Sequence, residues 1–415
     1  MTSTTTLSPF TLPESAPAAA RAVFRLMKGL KHGTLDVQMP DGSSAHFGVQ
    51  APAQAHPSLG GSSLRAAIRL RNWNACSAAL KSGDIGFAES YLAGDWSTPD
   101  LVALLKLFIA NRDDVESVIY GSWWGSLLYR AKHLFNRNSR SGSKKNIHAH
   151  YDLGNEFYRL WLDPTMNYSS AWFEGDRSGD QVQAQWAKVR RALAECGVQN
   201  GDRVLEIGCG WGALAECTAR EFGATVSGVT LSREQLAWAQ QRLAAAGLPG
   251  DLRYQDYRDI ADGPFDAIAS IEMFEAVGRE YWPSFFATLK RQLKPGAKAC
   301  IQSITIRDDL FERYVKSTDF IQQYIFPGGL LPSPQAFRDA AAKAGLQVVN
   351  ELDFGLDYAE TLTLWRENFD AAVEAGELPA GFDAHFVSLW RYYLMYCEGG
   401  FRGGGIDVSM VTLTR

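Results

Sequence analysis

Residues 203–213 read R-V-L-E-I-G-C-G-W-G-A, and this stretch decides the fold of the chain. The first five residues form a short apolar segment typical of a buried strand, and a glycine-rich turn follows before the next helical pattern. Glycine permits positive φ and lets the backbone approach a ligand closely. The stretch therefore predicts a strand, a binding turn and a helix in succession.

Two cofactor classes compete for this turn. Gly208, Gly210 and Ala213 satisfy G-x-G-x-x-G/A, but a nicotinamide site also expects an acid about 20 residues further on, to hold the ribose hydroxyls. The next strand ends V-S-G-V-T-L-S and offers Thr230 and Ser232 without an acid, which argues against a dinucleotide. Glu206 followed by G-C-G-W-G is instead typical of class I S-adenosylmethionine methyltransferases.

Strand and helix patterns alternate on both sides of the turn. We predict helices over 182–196, 213–221, 233–246 and 281–293, and strands over 225–229, 266–271 and 299–306, with Pro295-Gly296 ending the fourth helix. We interpret the helix over 182–196 as an ordinary packing helix. Such alternation predicts an α/β fold with a parallel sheet covered on both faces, of the Rossmann-like, seven-stranded class I methyltransferase type. Ligands should bind just after the carboxyl ends of the strands.

Length and composition indicate the class of protein and its number of domains. The chain has 415 residues, 46% hydrophobic and 21% charged, which indicates a globular protein of two or three domains and excludes a disordered or coiled-coil chain. We predict a disordered tail over 1–20, a smaller α+β domain over 21–120, a basic linker over 121–147 and a catalytic domain over 148–415. Six scattered cysteines favour reduced thiols, and we expect no metal site.

Charge is unevenly distributed. Residues 1–150 carry 16 Lys or Arg and 10 Asp or Glu, whereas residues 151–415 carry 25 and 36. Between Ser117 and Tyr151 there is no acid, and six cations lie among aromatic residues. This pattern fits adsorption to an anionic membrane, although a solvated linker or nucleic acid binding would need the same charges. No apolar run is long enough to span a bilayer, and we expect no secretory signal.

A series of ordered motifs resembles the cyclopropane fatty acyl phospholipid synthase family, also called the mycolic acid cyclopropane synthase family. They include H-Y-D-L-G-N at 150–155, M-N-Y-S at 166–169, the glycine turn, Q-D-Y-R-D at 255–259, M-F-E at 273–275 and Y-I-F-P-G at 324–328. The motifs cover most of 148–415, and G-F-A-E-S-Y-L-A-G-D-W at 86–96 resembles the extra domain of the long bacterial forms.

The resemblance implies transfer of a methyl group from S-adenosylmethionine to a cis double bond in an acyl chain of a membrane phospholipid, followed by proton loss and ring closure. It also implies which residues line the cofactor. These are Tyr168, Ser169, Glu206, Gly208, Cys209, Gly210, Trp211, Gly212, Thr230, Leu231, Ser232, Gln235, Asp256, Tyr257 and Arg258.

The same resemblance implies a bound bicarbonate as general base, and here the sequence departs from the family. Glu275 and Tyr358 match, but Ser170 replaces a Cys, Gln302 replaces a His, and Ala276 follows Glu275 where the family has a second His. Gln donates only a neutral hydrogen bond, roughly half as strong as one from a charged group. We therefore expect weak bicarbonate binding or none. A further match, Cys397, is a candidate catalytic residue by the same resemblance, although we favour a buried structural thiol.

Without bound bicarbonate, the identity of the general base and of the product stays open. Glu275 is the candidate base, because burial raises the pKa of a carboxyl group toward neutrality. The cation formed by methyl transfer could close to a cyclopropane, or lose a proton from a chain carbon and give a methyl-branched or methylated-diene chain. Water or bicarbonate in the same place would preserve cyclopropane formation.

The partners follow from the same resemblance. We expect a cytoplasmic enzyme at the inner membrane face, with a phospholipid as substrate, no nucleic acid partner, and an oligomeric state that the sequence leaves open, a homodimer included. Two hypotheses of other classes remain. One is a methyltransferase for small amines, since some alkaloid N-methyltransferases share this domain; the other is a catalytically silent lipid-binding protein.

Overall fold

The computed structural model describes residues 12–49, 64–112 and 153–415. The chain divides into two compact units, and the division falls at residues 130–131, outside the described residues. The expected linker over 121–147 and the domain limits at 120 and 148 fall outside them too, and stay predictions. The first helix begins at Ala18, inside the segment expected to be a disordered tail.

The smaller unit is α+β, as the sequence predicts. Its four strands lie in the order β2-β1-β3-β4, with β1 antiparallel to β2 and parallel to β3. Phe24 of the first helix packs edge-on against Phe47, with ring centroids 5.4 Å apart. The strands are β1 (Gly33–Gln38), β2 (Ser44–Val49), β3 (Arg65–Leu70) and β4 (Trp96–Ser97); the helices are α1 (Ala18–Met27), α2 (Asn74–Leu92) and α3 (Leu101–Ala110).

The larger unit contains a seven-stranded sheet in the order β10-β11-β9-β8-β5-β6-β7, which confirms the predicted Rossmann-like class. The strands β5 to β9 run parallel to one another. The parallel sheet that the sequence predicts has one mixed edge, where β11 is antiparallel to both β9 and β10. The strands are β5 (Arg203–Ile207), β6 (Thr225–Thr230), β7 (Asp251–Tyr254), β8 (Phe265–Ile271), β9 (Leu293–Ile306), β10 (Gln347–Asp353) and β11 (Ile406–Thr414).

Strand β9 begins six residues earlier than predicted. Pro295-Gly296 lies within it rather than between helix and strand, and the pairing of β8 with β9 has a register shift between Phe265 and Ala267. This irregularity accommodates a proline, which cannot donate to the ladder. From Ala267 and Lys298 onward the pairing is regular, and it places Ile271 opposite Gln302.

Helices flank the sheet, and several of them begin at side-chain caps that the sequence supplies. Asp180, Ser232 and Ser333 each accept a hydrogen bond from the backbone amide three residues on, which satisfies one of the free amides of the first turn. The helices are α4 (Asn155–Arg159), α5 (Gln181–Cys196), α6 (Ala213–Glu221), α7 (Arg233–Ala245), α8 (Trp282–Gln292), α9 (Asp308–Tyr314), α10 (Phe320–Tyr324), α11 (Pro334–Lys343), α12 (Gly355–Glu374) and α13 (Ala384–Arg402).

The core of this unit lies between the sheet and these helices. Phe265, Phe274, Phe285 and Phe286 are fully buried there, and the Phe274 ring lies 5.0 Å from that of Phe285. All six cysteines are free, as expected. Among the described residues, no helix combines the length and apolar character needed to cross a bilayer.

Candidate active site

The glycine turn after β5 faces open space at one position. Gly208, Gly210 and Gly212 all have positive φ, at 88°, 48° and 86°. A Cβ atom at Gly208 would lie 3.0 Å from Met273, and one at Gly212 would lie 2.9 Å from Ala239. A Cβ atom at Gly210 would meet nothing within 4 Å. Packing thus requires the first and third glycines, whereas the second leaves room for a ligand.

Glu206, near the end of β5, carries an unsatisfied buried oxygen. Its side chain is 5% exposed, and its Oε2 atom has no hydrogen-bond partner among the described residues. Burial raises the pKa of Glu206 to about 8, while Arg242 and Lys188 oppose the rise. A buried oxygen without a donor is costly. The position therefore fits a cofactor that brings donors and positive charge, as S-adenosylmethionine does.

The next strand supplies a polar loop at the same edge of the sheet. Thr230 ends β6, and its hydroxyl accepts from the amide of Ser232 at 3.1 Å and lies 3.4 Å from Gln235 Oε1. Ser232 in turn caps α7 by accepting from the Gln235 amide. Leu231 between them is half-buried. Four of the predicted cofactor residues thus form one internally bonded loop.

Asp256, Tyr257 and Arg258 follow β7 at this edge. Both carboxylate oxygens of Asp256 accept from the Arg258 guanidinium, at 2.8 and 2.6 Å, so this pair is bidentate. The Tyr257 ring packs against Phe285 at 5.5 Å, and burial raises its pKa to about 12. The Asp256–Arg258 pair thus holds the loop in place.

Two residues of the glycine turn point into protein. Trp211 donates from Nε1 to Asn155 Oδ1 at 2.7 Å and is buried. The Cys209 thiol is also buried, and burial keeps its pKa well above the usual value. Both side chains fix the turn, and the backbone remains available to a ligand.

Aromatic rings surround Tyr168. Its ring centroid lies 5.3 Å from that of Trp161 and 5.5 Å from that of Trp365, and its hydroxyl lies 2.7 Å from that of Tyr393. Trp365 also makes an edge contact with Tyr358 at 6.0 Å. The rings connect the predicted cofactor residue Tyr168 to the predicted catalytic residue Tyr358.

Glu272 lies at the centre of the predicted catalytic residues, although the sequence analysis did not select it. Its Oε1 accepts from the Ser170 backbone amide at 2.9 Å and from Gln302 Nε2 at 2.8 Å, and its Oε2 accepts from the Tyr358 hydroxyl at 2.7 Å. Burial raises its pKa, and the charge of Lys188 together with the three donors opposes this. Glu272 also has φ of 48°, which is rare and strained outside glycine.

Lys188 of α5 is a second site residue that the sequence analysis missed. It is completely buried, and its Nζ donates to the Ser169 hydroxyl. Burial lowers the Lys188 pKa to about 8, while the nearby carboxylates of Glu272, Asp163 and Glu206 raise it. The expectation of an ordinary packing helix is thus incomplete, because α5 delivers a cation between the cofactor turn and Glu272.

Glu275, the predicted base, has a separate set of donors. Its Oε1 accepts from the Ile304 amide and from Ser303 Oγ, the latter at 3.1 Å. Its Oε2 has no partner among the described residues. Burial raises the pKa of Glu275 to about 8, and the charge of Glu272 raises it further. At neutral pH this carboxyl group is therefore mostly protonated.

Cys397 of α13 lies beside the aromatic wall. The thiol lies within electrostatic reach of the Tyr358 and Tyr393 hydroxyls, whose pKa values a thiolate at this position would raise. Burial raises the Cys397 pKa far above neutrality, with a further rise from Asp319. A neutral thiol is a poor nucleophile, so the raised pKa favours the structural role of Cys397 over a catalytic one.

The position of Glu272 in the sequence indicates a site residue. It is the first residue after the buried strand A-I-A-S-I of β8, the place where ligands of parallel sheets bind. Lys188 had only a weaker signal, a lysine among apolar residues on an amphipathic helix, and long lysine side chains usually reach solvent from such positions.

A family profile described as mycolic acid cyclopropane synthetase matches residues 138–411, which is more than half of the chain. The chain belongs to this family. Its methyltransferase activity and its use of S-adenosylmethionine to modify fatty acyl chains follow from that membership and from the relatives described next.

Three relatives in the cyclopropane synthase family define the similarity. The tuberculostearic acid methyltransferase UfaA1 of Mycobacterium tuberculosis is 40% identical over 345 residues, covering 81% of this chain and 80% of the relative. The cyclopropane-fatty-acyl-phospholipid synthase of Escherichia coli K12 is 34% identical over 384 residues, covering 92% and 96%. The crystal structure of mycolic acid cyclopropane synthase CmaA1 with SAH and CTAB has a TM-score of 0.61 and 33% identity, covering 66% and 98%.

A coclaurine N-methyltransferase structure shares the fold as well, with a TM-score of 0.60 over 79% of this chain and 98% of that one. Its identity to this chain is only 18%, so the likeness concerns the fold and carries no inference about an amine substrate.

The bicarbonate implied by the cyclopropane synthase family does not fit this site. Gln302 and Tyr358 would have to donate to the anion, but both side chains donate to the Glu272 carboxylate. The Ser170 hydroxyl, the replacement for the family Cys, donates instead to the Ala171 carbonyl at 2.8 Å. A second anion beside a buried carboxylate would also be strongly repelled.

Proposed function

We propose that this enzyme methylates the double bond of an unsaturated acyl chain in a membrane phospholipid and releases a methyl-branched alkene rather than a cyclopropane. The observation that carries the proposal is the combination of aromatic rings and a buried carboxylate beside the cofactor turn. Addition of a methyl cation to an alkene leaves a carbocation, and aromatic faces stabilise cations within about 6 Å. Methylation of an amine requires no such surroundings.

The choice of a branched product rests on the departures from the family pattern. Ser170, Gln302 and Ala276 replace residues associated with ring closure, and Glu272 takes up the remaining donors. The relative named as a tuberculostearic acid methyltransferase is 40% identical, compared with 34% for the relative named as a cyclopropane synthase.

Different residues of the chain bind the cofactor and protect the reacting carbon from water. S-adenosylmethionine supplies an electrophilic methyl group when bound. The backbone at Gly210 leaves room for the cofactor. The buried carboxyl group of Glu206 accepts hydrogen bonds from the cofactor and balances its positive charge. Trp161, Trp365 and Tyr168 form an apolar wall that excludes water, so the cation is not quenched by hydration.

The test uses purified full-length chain, S-adenosylmethionine labelled with ¹³C in its methyl group, and vesicles of a phospholipid with one cis double bond. We expect mass spectrometry to show a gain of one CH₂ in the acyl chain, and ¹³C NMR to place the label in a methyl branch of a chain that keeps its double bond rather than in a ring. Vesicles of the saturated phospholipid are the control. A labelled cyclopropane would disprove the branched product, and labelling of small amines instead of lipid would disprove the substrate class.

We propose further that the enzyme works at the inner face of the cytoplasmic membrane. The proposal rests on the run of six cations without an acid between residues 130 and 145, which precedes the catalytic domain. Such a segment would concentrate the enzyme at the surface that holds its substrate.

A further inference from the structure

The Glu272 carboxylate accepts hydrogen bonds from the protein in the way that a bound anion would. Three donors from separate parts of the chain converge on its carboxylate: the Ser170 amide before α5, Gln302 on β9 and Tyr358 on α12. The carboxylate belongs to the chain itself, so the site is complete without an added ion.

We propose that Glu272 is the proton acceptor of the reaction and a built-in substitute for a dissociable anion. The inference rests on the proposed function, because it concerns the proton released after methylation of an alkene. Lys188, Gln302 and Tyr358 are positioning residues in this scheme, since they act on the carboxylate and not on the substrate.

One acceptor position of Glu272 remains for the substrate proton. An ionised carboxylate offers two lone pairs on each oxygen. Oε1 uses both, for the Ser170 amide and Gln302, whereas Oε2 uses one, for the Tyr358 hydroxyl. The free lone pair is therefore on Oε2, on the side of Tyr358 and the aromatic wall.

Geometry separates the roles of the two neighbouring acids. Lys188 lies near Glu272 and favours its ionised form, whereas Glu275 has an unpartnered oxygen and a like charge beside it. Two adjacent buried carboxyl groups do not both ionise readily, so a single negative charge is placed on Glu272, which has three hydrogen-bond donors and the charge of Lys188. Glu275 remains the protonated partner.

The proton step balances within the site. After the methyl group has bonded to one alkene carbon and its bond to sulfur has broken, the other alkene carbon is cationic. A neighbouring C–H bond then breaks, its electron pair becomes the new carbon–carbon double bond, and the proton passes to Glu272 Oε2. No oxidant or reductant takes part, and the acid returns its proton to solvent between turnovers.

The strained backbone at Glu272 makes glycine a suitable replacement for removing the side chain. Because φ is 48°, Glu272→Gly relieves strain while it leaves a carboxylate-sized space among three donors. Glu174→Gly is the matched control, since Glu174 also has positive φ, at 56°, but is exposed. Glu272→Gln keeps the shape and removes the ability to accept a proton.

The experiment measures label transfer to unsaturated phospholipid in buffers purged of carbon dioxide. We expect wild-type activity to be independent of bicarbonate, and Glu272→Gln and Glu272→Gly to lose about 10²–10⁴-fold. Millimolar bicarbonate or formate should restore part of the activity of Glu272→Gly but not of Glu272→Gln, in which the space is filled. Glu275→Gln should stay at least about tenfold more active than Glu272→Gln.

A second readout does not depend on turnover. ¹³C-labelled bicarbonate should show NMR line broadening with Glu272→Gly and none with the wild type or Glu174→Gly. Unimpaired activity of Glu272→Gly in purged buffer, a wild type that needs bicarbonate, or equal bicarbonate binding by wild type and variant would each overturn the inference. If the wild type transfers no label to lipid, the proposed function fails instead, and the binding readout still decides whether Glu272 replaces the anion.

Discussion

Lys188 donates a hydrogen bond to the hydroxyl of Ser169, and both side chains are closed off from solvent. The next residue, Ser170, donates its amide to Glu272, so a buried cation and a buried carboxylate are joined by two consecutive residues. Glu206, at the cofactor turn, also lies within the electrostatic reach of Lys188. One lysine thereby balances the acids of both the cofactor site and the proton-accepting site.

Replacing Lys188 by methionine should shift the pH dependence of activity. Lys188 lowers the Glu272 pKa, so its removal lets burial raise that pKa further. Since Glu272 must be ionised to accept a proton, the acid limb of the kcat/KM profile should move to higher pH, and activity on that limb should fall. Lys343→Met, at an exposed position, is the control. An unchanged acid limb in a folded Lys188→Met variant would contradict the electrostatic role.

Replacing Tyr358 by phenylalanine should slow turnover and leave cofactor affinity unchanged. The variant keeps the ring that stacks on Phe401 at 4.6 Å and loses only the donor to Glu272. A hydrogen bond to a charged group contributes about 1.5–3 kcal/mol, so we expect a loss of roughly 10- to 100-fold. In the background of Glu272→Gln the same change should cost little, because its partner is already altered. Additive losses in the double variant would show that Tyr358 acts elsewhere.

Replacing Gly210 by valine should abolish cofactor binding. A side chain at Gly210 would enter open space beside the turn rather than clash with protein. We expect SAH affinity, measured by calorimetry, to fall at least about 100-fold, or about 2.7 kcal/mol. Gly247→Val is a matched control, since Gly247 has positive φ and equally open surroundings in an exposed turn. Comparable losses in both variants would mean that backbone strain, and not ligand exclusion, is responsible.

Cofactor affinity should rise with pH through the ionisation of Glu206. Burial raises its pKa to about 8, so the group is mostly neutral below that pH. A cationic ligand favours the ionised form, which means that binding releases a proton and tightens from about pH 6.5 to about pH 8, by at most about tenfold per unit. Calorimetry in buffers of different ionisation enthalpy measures the proton count. Glu206→Gln should bind more weakly and show no such dependence; a pH-dependent Gln variant would assign the proton to another group.

Vesicle binding should depend on salt and on the basic segment. Charges are screened beyond about 8 Å at physiological ionic strength, so co-sedimentation with anionic vesicles should weaken as salt rises. Charge reversal at Lys144 and Lys145 should weaken it further, with neutral vesicles as the control. Binding that ignores both salt and charge reversal would indicate apolar insertion instead of electrostatic adsorption.

The amino-acid sequence determined the architecture of this protein. The strand and glycine turn over 203–213 predicted the fold, because apolar periodicity and glycine conformations are local properties that neighbouring residues reveal. The sequence motifs likewise predict Ser170, Gln302 and Tyr358 as site residues.

Only the tertiary structure decided what those three residues bind. Their common partner, Glu272, depends on the pairing of β8 with β9, on the left-handed backbone at the end of β8, and on a helix 86 residues away in sequence. The charge of Lys188 is favoured in the same way by carboxylates from three other segments, Glu272, Asp163 and Glu206. Electrostatic roles of this kind arise from distances between parts of the chain that are remote in sequence, and a local pattern does not encode those distances.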